Sequence, residues 1–242
     1  MISPESVLGN QATLGKAESH HLKEVLRKKV GDVIPFTDGR GRYFEGKIIQ
    51  AKESVILEII SSLQAQAEEL PQLILAQALL KNPRMDWLVE KATELGAHTL
   101  LPFHCERGVV KTKTESEKNQ KIKRWERIAV SALKQSARLE LPQIGPILSF
   151  KELMSRYAAV ETPKVLFTVD SAENVSLRKL GEAVKESAPF WIFVIGPEGG
   201  FTPSEIAQAK EAGFLFGSLG RRALRAETAA LATLSIFNFL KQ

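Results

Sequence analysis

Trp191-Ile192-Phe193-Val194-Ile195-Gly196-Pro197-Glu198-Gly199-Gly200-Phe201 is the stretch that decides the fold. Its first five residues are continuously apolar, with no polar alternation, as in a parallel strand buried on both faces. Thr202-Pro203-Ser204-Glu205 then opens a helix: Thr202 and Glu205 stand at capping-box spacing, and Pro203 takes the first helical position, where a missing N–H costs nothing. Strand, glycine loop and helix in that order place the loop beyond the carboxyl end of a buried strand, where open α/β sheets bind ligands. Glycines there let the backbone approach a ligand closely. The loop is neither the GxGxxG of a dinucleotide fold nor a phosphate loop ending in GK[ST], and Glu198 would repel phosphates. A carboxylate beside exposed amides suits a ligand with a cationic or hydroxyl group, such as an amino-acid or ribose moiety. A tight strand-to-helix turn without a ligand is the competing explanation.

Strand–helix alternation extends outward from this stretch. Gln72–Leu79, Thr99–Phe103, Val165–Val169 and Leu215–Ser218 read as strands. Asn82-Pro83 starts a helix through Met85, Leu88, Val89, Ala92 and Leu95, with Pro83 in its first turn and Gly96 as its left-handed cap. Glu117–Leu139 and Ala226–Leu240 are further helices, and the whole makes a parallel α/β domain over residues 70–242. Residues 1–68 differ. Ser19 is positioned to cap a helix through His20, Leu22, Val25 and Leu26 that Gly31-Asp32 ends, and Val33–Phe36, Tyr43–Ala51 and Val55–Ile60 read as strands of a small β domain, often a barrel. The polar Ser61–Glu69, closed by Pro71, is the candidate linker.

A second glycine turn, Leu219-Gly220-Arg221-Arg222-Ala223-Leu224-Arg225, leads into Ala226-Glu227-Thr228-Ala229. Three arginines around a loop that becomes an apolar helix are poor core material. Capping and salt bridges from Arg225 to Glu227 or Glu198 would be the bland account of them.

Composition bounds the function. The chain has 242 residues, 44% hydrophobic and 25% charged, which excludes a disordered or collagen-like protein. The apolar stretches are too short or too interrupted to span a bilayer, and no secretory start precedes Ser3-Pro4-Glu5. The lone Cys105 fits a reducing, cytoplasmic setting, and no metal-ligand spacing is present. Of a formal net charge of +5, the window Cys105–Glu140 alone carries +5, with ten basic residues against five acidic. A neutral body with one basic stretch points to a polyanion-binding face; a solvated helix laced with pairs such as Glu117–Lys121 is the alternative.

The two C-terminal strings, Ile195–Phe201 and Leu219-Gly220 with Leu224-Arg225-Ala226-Glu227-Thr228-Ala229, resemble those of the bacterial RsmE family, SPOUT-class methyltransferases that modify N3 of a uridine in small-subunit (16S) ribosomal RNA. Lys91-Ala92-Thr93-Glu94-Leu95-Gly96, Glu106-Arg107, Gln135-Ser136-Ala137-Arg138 and, near the start, His21-Leu22 with Val25-Leu26-Arg27, Gly31-Asp32 and Asp38-Gly39 extend the likeness over nearly the whole chain. Met1–Asn10 lacks the family's usual basic-aromatic strand, Gly108 stands where serine is expected, and Asn82-Pro83 replaces a glycine-containing turn. The resemblance implies a PUA-like RNA-binding β-barrel followed by an α/β methyltransferase domain with a C-terminal trefoil knot, a homodimer, and S-adenosylmethionine as cofactor. The cofactor-binding residues would be Gly196, Pro197, Glu198, Gly199, Gly200, Leu219, Gly220, Leu224, Arg225 and Thr228. Arg27, Arg107, Lys121, Lys123, Arg124 and Arg138 would meet the RNA.

Methyl transfer to uridine N3 requires loss of a weakly acidic imide proton, helped by a base or by a cation that stabilises charge on the neighbouring carbonyl oxygens. Arg225 is the candidate cation; Glu198 and Glu227 are candidates to take the proton or to position other groups. Two readings compete. An RNA-binding protein with a degenerate, non-catalytic knot would not need intact glycine loops, and a doubly wound small-molecule enzyme would leave the basic window without a purpose.

Overall fold

The structure is a computed structural model that describes residues 6–64, 71–136, 138–169, 175–184 and 188–240, the side chains of 183 and 184 excepted. The chain divides into two compact units, Met1–Glu68 with Ala137–Leu141, and Glu69–Ser136 with Pro142–Gln242.

The first unit is a five-stranded antiparallel sheet of β1 (Val7–Leu8), β2 (Gln11–Thr13), β3 (Val33–Thr37), β4 (Arg42–Ala51) and β5 (Val55–Gln64), in the order β1-β2-β5-β4-β3. Inward-facing Ala12, Leu14, Ile34, Phe36, Phe44, Ile48, Val55 and Leu57 form its core, with Phe36 stacked on Phe44. Alternation along β4 puts one face in that core and the other in solvent. The first helix departs from expectation. α1 (Lys16–His20) starts at Lys16 after Gly15 and continues as a π-helical turn, His21–Val25, so Ser19 lies inside it and caps nothing. Its buried hydroxyl instead donates to the Leu14 carbonyl and accepts the Val55 N–H, tying helix to sheet. Ser61–Gln64 of the expected linker belong to β5, which pairs with Arg42–Glu45; residues 65–70 lie outside those described. The returning chain completes this unit, where Gly41 N–H donates to Leu139 and Leu141 N–H to Gly39.

The second unit is a parallel sheet flanked by helices. Its strands are β6 (Gln72–Ala78), β7 (Thr99–His104), β8 (Gln143–Ile144), β9 (Leu148–Ser149), β10 (Lys164–Phe167), β11 (Phe190–Ile195) and β12 (Leu215–Gly217), ordered β12-β10-β11-β6-β7-β8 with β9 also on β7. The helices are α2 (Arg84–Glu94), α3 (Glu115–Ser136), α4 (Phe150–Ala158), α5 (Leu177–Val184), α6 (Pro203–Glu211) and α7 (Ala226–Leu240). β10 and β11 have no alternation because both faces are covered. α7 lies alongside α2 and on β6 and β11; its Phe237 is fully buried against Trp191 and Phe193. Burying that ring contributes about 2–3 kcal/mol. α2 begins one residue later than expected, with Pro83 at its cap, and Gly96 closes it at φ +78. Among the described residues, no helix is long and apolar enough to cross a membrane.

Register decides where function can sit. Phe167 pairs with both Ile195 and Gly217, so β10, β11 and β12 end level and release three loops at one edge of the sheet.

Candidate active site

The loop after β11 is held by its own chemistry. The Gly200 N–H donates to the Pro197 carbonyl at 3.0 Å, closing a turn. Thr202 and Glu205 form the expected capping box: Thr202 N–H reaches Glu205 Oε2 at 2.9 Å, and Glu205 N–H reaches Thr202 Oγ1 at 3.3 Å. The other Glu205 oxygen, buried, accepts the Glu106 N–H at 2.8 Å, and Thr202 Oγ1 donates to Glu106 Oε2 at 3.0 Å. The segment after β7 is thereby fastened to the start of α6. Arg107, next along, donates from Nη1 to the Gly199 carbonyl at 3.2 Å. A Cβ on Gly199 would lie 3.2 Å from Arg107 Cβ, so this approach leaves little room for a side chain. Beneath it, burial first and the Glu205 charge second push the Cys105 thiol up to about 12, which keeps it protonated and removes it as a nucleophile.

The loop after β12 turns at Gly220, whose φ of +115 is open to glycine and strained for any other residue. Ser218 Oγ accepts the Gly220 N–H at 3.3 Å. The Arg225 carbonyl accepts the Ala229 N–H at 2.9 Å, which makes Arg225 the cap residue of α7.

Between these loops and the end of β10 lies a cavity of about 220 Å³. Of the residues expected to hold a cofactor, Gly196, Pro197, Glu198, Gly199, Gly200, Leu219, Gly220 and Leu224 line it; Arg225 and Thr228 are exposed and do not. Phe167, Thr168 and Val169 also line it and were not singled out from sequence, although their place at the carboxyl end of a parallel strand is the signal that would have found them. Arg222 and Ala229 contribute as well.

The carboxylates are organised by an unforeseen arginine. Glu198 is ion-paired with Arg84, the first residue of α2, rather than with Arg225. Glu227 is buried in the first turn of α7; its Oε2 lies 3.9 Å from Arg84 Nη1 and accepts no hydrogen bond from the described residues. Nothing in the sequence ties Arg84 to either glutamate, since the three come from different elements far apart in the chain. Arg225 makes no ion pair among the described residues.

The basic residues are distributed over both units. On α3, Trp125, Ala129, Ala132 and Leu133 face inward, while Lys123 and Arg127 are exposed and Lys121 is half-buried on the flank. Arg124 is committed to Asp86 by a forked pair of 3.1 and 2.7 Å. In place of the Glu117–Lys121 pair that the solvated-helix alternative would use, Glu117 belongs to a cap, with its Oε2 accepting the Lys113 N–H at 2.7 Å and Thr114 Oγ1 accepting the Glu117 N–H at 3.1 Å. Arg27 and Arg138 lie in the antiparallel unit; Arg27 is exposed, with φ +50.

Residues 68–238 match the family described as RNA methyltransferase domain, and residues 14–60 match the RNA methyltransferase PUA domain. Ribosomal RNA small subunit methyltransferase E of Bacillus subtilis is 32% identical over 231 residues, covering 92% of this chain and 87% of that protein. The crystal structure of ribosomal RNA small subunit methyltransferase E from Neisseria gonorrhoeae bound to S-adenosylmethionine superposes with a TM-score of 0.85 at 28% identity, covering 99% of this chain and 96% of that one. A Legionella pneumophila protein in complex with the same cofactor also gives 0.85, at 29% identity, covering 98% and 95%. The matches span both units and the sheet edge that carries the glycine loops, and the chain belongs to the ribosomal RNA small subunit methyltransferase E family.

Proposed function

We propose that this protein transfers a methyl group from S-adenosylmethionine to N3 of a uridine in 16S ribosomal RNA. The observation that carries the reading is the cavity at the level ends of β10, β11 and β12, built from two glycine loops. The residues present fit the cofactor. Gly199 and Gly220 keep the lining free of side chains, a Cβ on Gly220 would meet nothing within 4 Å, and Glu198 supplies a carboxylate suited to a cationic ligand. Gly196, Pro197, Gly200, Leu219 and Leu224 complete its walls; Arg225 and Thr228, outside the cavity, are assigned to the substrate side. When bound, S-adenosylmethionine supplies an electrophilic methyl on a sulfonium.

The chain's residues orient and neutralise. Holding uridine N3 in line with the methyl carbon supplies much of the acceleration. The N3 proton leaves to Glu198, the carboxylate that lines the cavity, while buried Glu227 positions other groups; the freed electron pair forms the N–C bond and the C–S pair stays on sulfur. The Arg225 guanidinium, at the mouth of α7, stabilises negative charge on the uracil oxygens. Arg107, Lys121 and Lys123 from one unit and Arg27 and Arg138 from the other contact the RNA backbone, and Arg124, held by Asp86, contributes less.

The same proposal includes a trefoil crossing of the C-terminal chain, a homodimer and a cytoplasmic setting. Exposed Trp87 on α2 and Phe239 on α7, two helices that pack together, support a covered surface there. Mass mapping of 16S ribosomal RNA from cells with and without the protein tests the reading: one uridine should lose a methyl group, and the purified protein with cofactor should restore it. An unchanged map with intact RNA binding would favour a non-catalytic RNA-binding role.

A further inference from the structure

We propose that Arg84 is a positioning residue of the transfer site, joining the Glu198 carboxylate on the loop after β11 to the Glu227 carboxylate at the start of α7 and so holding two walls of the cavity in register. Arg84 follows β6, the strand beside β11, and neither it nor Glu227 lines the cavity. A cation in the first turn of a helix is locally unfavourable, so the start of α2 is a poor place for arginine unless something else holds it there. The ion pair with Glu198 is one such partner.

Glu227 is the second. Its side chain is 8% exposed, and its Oε2 has no hydrogen-bond donor among the described residues. A buried carboxylate in that state is costly unless a counter-charge stands near, and Arg84 Nη1 stands 3.9 Å away. A guanidinium carries five donors in a planar fork and can serve two carboxylates together; an ammonium on the same stem is a point charge. Two carboxylates against one cation also leave the cluster net negative, which favours a cationic ligand beside Glu198.

The inference rests on the cofactor reading for its purpose, and its first test needs no ligand. Amide hydrogen exchange in the ligand-free protein follows Gly200, whose N–H is bonded within the loop, in wild type, Arg84→Ala, Arg84→Lys, Glu198→Gln and the Arg84→Ala/Glu198→Gln double variant. Arg84→Ala should speed exchange at Gly200 on the order of fivefold and, because it leaves the Glu227 carboxylate buried without its counter-charge, should also lower the melting temperature. Arg84→Lys should restore part of the protection, and the double variant should match Glu198→Gln alone. Calorimetric titration should then show S-adenosylmethionine affinity falling in Arg84→Ala by a similar factor. Wild-type exchange at Gly200 in Arg84→Ala, or fully additive effects in the double variant, would overturn the assignment. A wild-type protein that takes up no cofactor would overturn the cofactor reading instead, and the exchange pattern would still decide whether Arg84 positions the loop.

Discussion

Arg107 Nη1 donates to the Gly199 carbonyl at 3.2 Å while its Cβ occupies the space a side chain on Gly199 would need. Glycine is therefore favoured at 199 by this close approach, and required at Gly220 by a φ of +115. Gly199→Val should push the loop off Arg107, and Gly220→Val should force the second turn out of its conformation. Both variants should stay folded by circular dichroism and lose S-adenosylmethionine affinity by calorimetry. Unchanged affinity in both would remove these loops from cofactor binding.

Two capping boxes of the same chemistry provide an internal comparison. Ser149 and Glu152 start α4 at an exposed site, whereas Thr202 and Glu205 start α6 beside the cavity and also hold Glu106. Each cap lost to alanine should cost about 1 kcal/mol in denaturant unfolding. Only Thr202→Ala should also weaken cofactor binding, because only it frees the segment carrying Arg107. Equal cofactor affinity in the two variants would separate the cap from the site.

Much of this site is legible from local sequence, because its signals are local. The apolar run ending at Ile195, the Thr202/Glu205 spacing and the glycines at 199, 200 and 220 act through their own backbone or near neighbours. Long-range contributions are not legible in that way. Arg84 meets Glu198 only because β6 and β11 are adjacent in the sheet, and an arginine next to a proline carries no pattern. The same holds for Ser19, whose cap-like position is overridden by a bond to Val55 on a strand. Likewise, the return of residues 138–141 to the antiparallel unit follows a long helix, with no composition change to announce it.

Cys105 should be chemically silent in the native protein. Its thiol is raised from an ordinary 9.0 to about 12, chiefly by burial, so the thiolate is scarce at pH 8. A chromogenic disulfide reagent should react with it only after denaturation. The linkage has a definite sign: between about pH 9 and 12 the folded state keeps a proton that the unfolded chain releases, so stability falls as pH rises through that window. Cys105→Ala should flatten that alkaline decline. A native thiol that titrates near pH 9 would contradict the burial.

Phosphate contacts on α3 should be carried by the side chains free to make them. Lys123 and Arg127 are exposed, while Arg124 is held by Asp86. Lys123→Ala with Arg127→Ala should reduce the log–log salt slope of RNA binding by roughly one and a half units. Arg124→Ala should change it less, and cofactor affinity should not move in either protein. A wild-type slope in the double variant would make α3 a solvated face.

Arg225 caps α7 through its carbonyl, yet its guanidinium is exposed, unpaired among the described residues and outside the cavity. A positive charge at a helix N-terminus works against the helix dipole, so the position is a poor one for stability. It is a good one for chemistry if the uracil is presented at the cavity mouth, since a flexible side chain can swing onto a carbonyl oxygen as negative charge develops there. Arg225→Lys keeps the charge and loses the planar fork that could reach that oxygen and a second acceptor together. Cofactor affinity should therefore be nearly unchanged, because Arg225 lines none of the cavity. The single-turnover rate at saturating RNA and cofactor should fall by about 10²–10³, the usual effect of removing one such donor. Removing a charge at odds with the dipole, as in Arg225→Ala, should leave the melting temperature equal or slightly higher while turnover falls at least as far. A lysine variant with a near-normal single-turnover rate would make Arg225 an RNA-contacting residue and return the chemical step to Glu198 and Glu227.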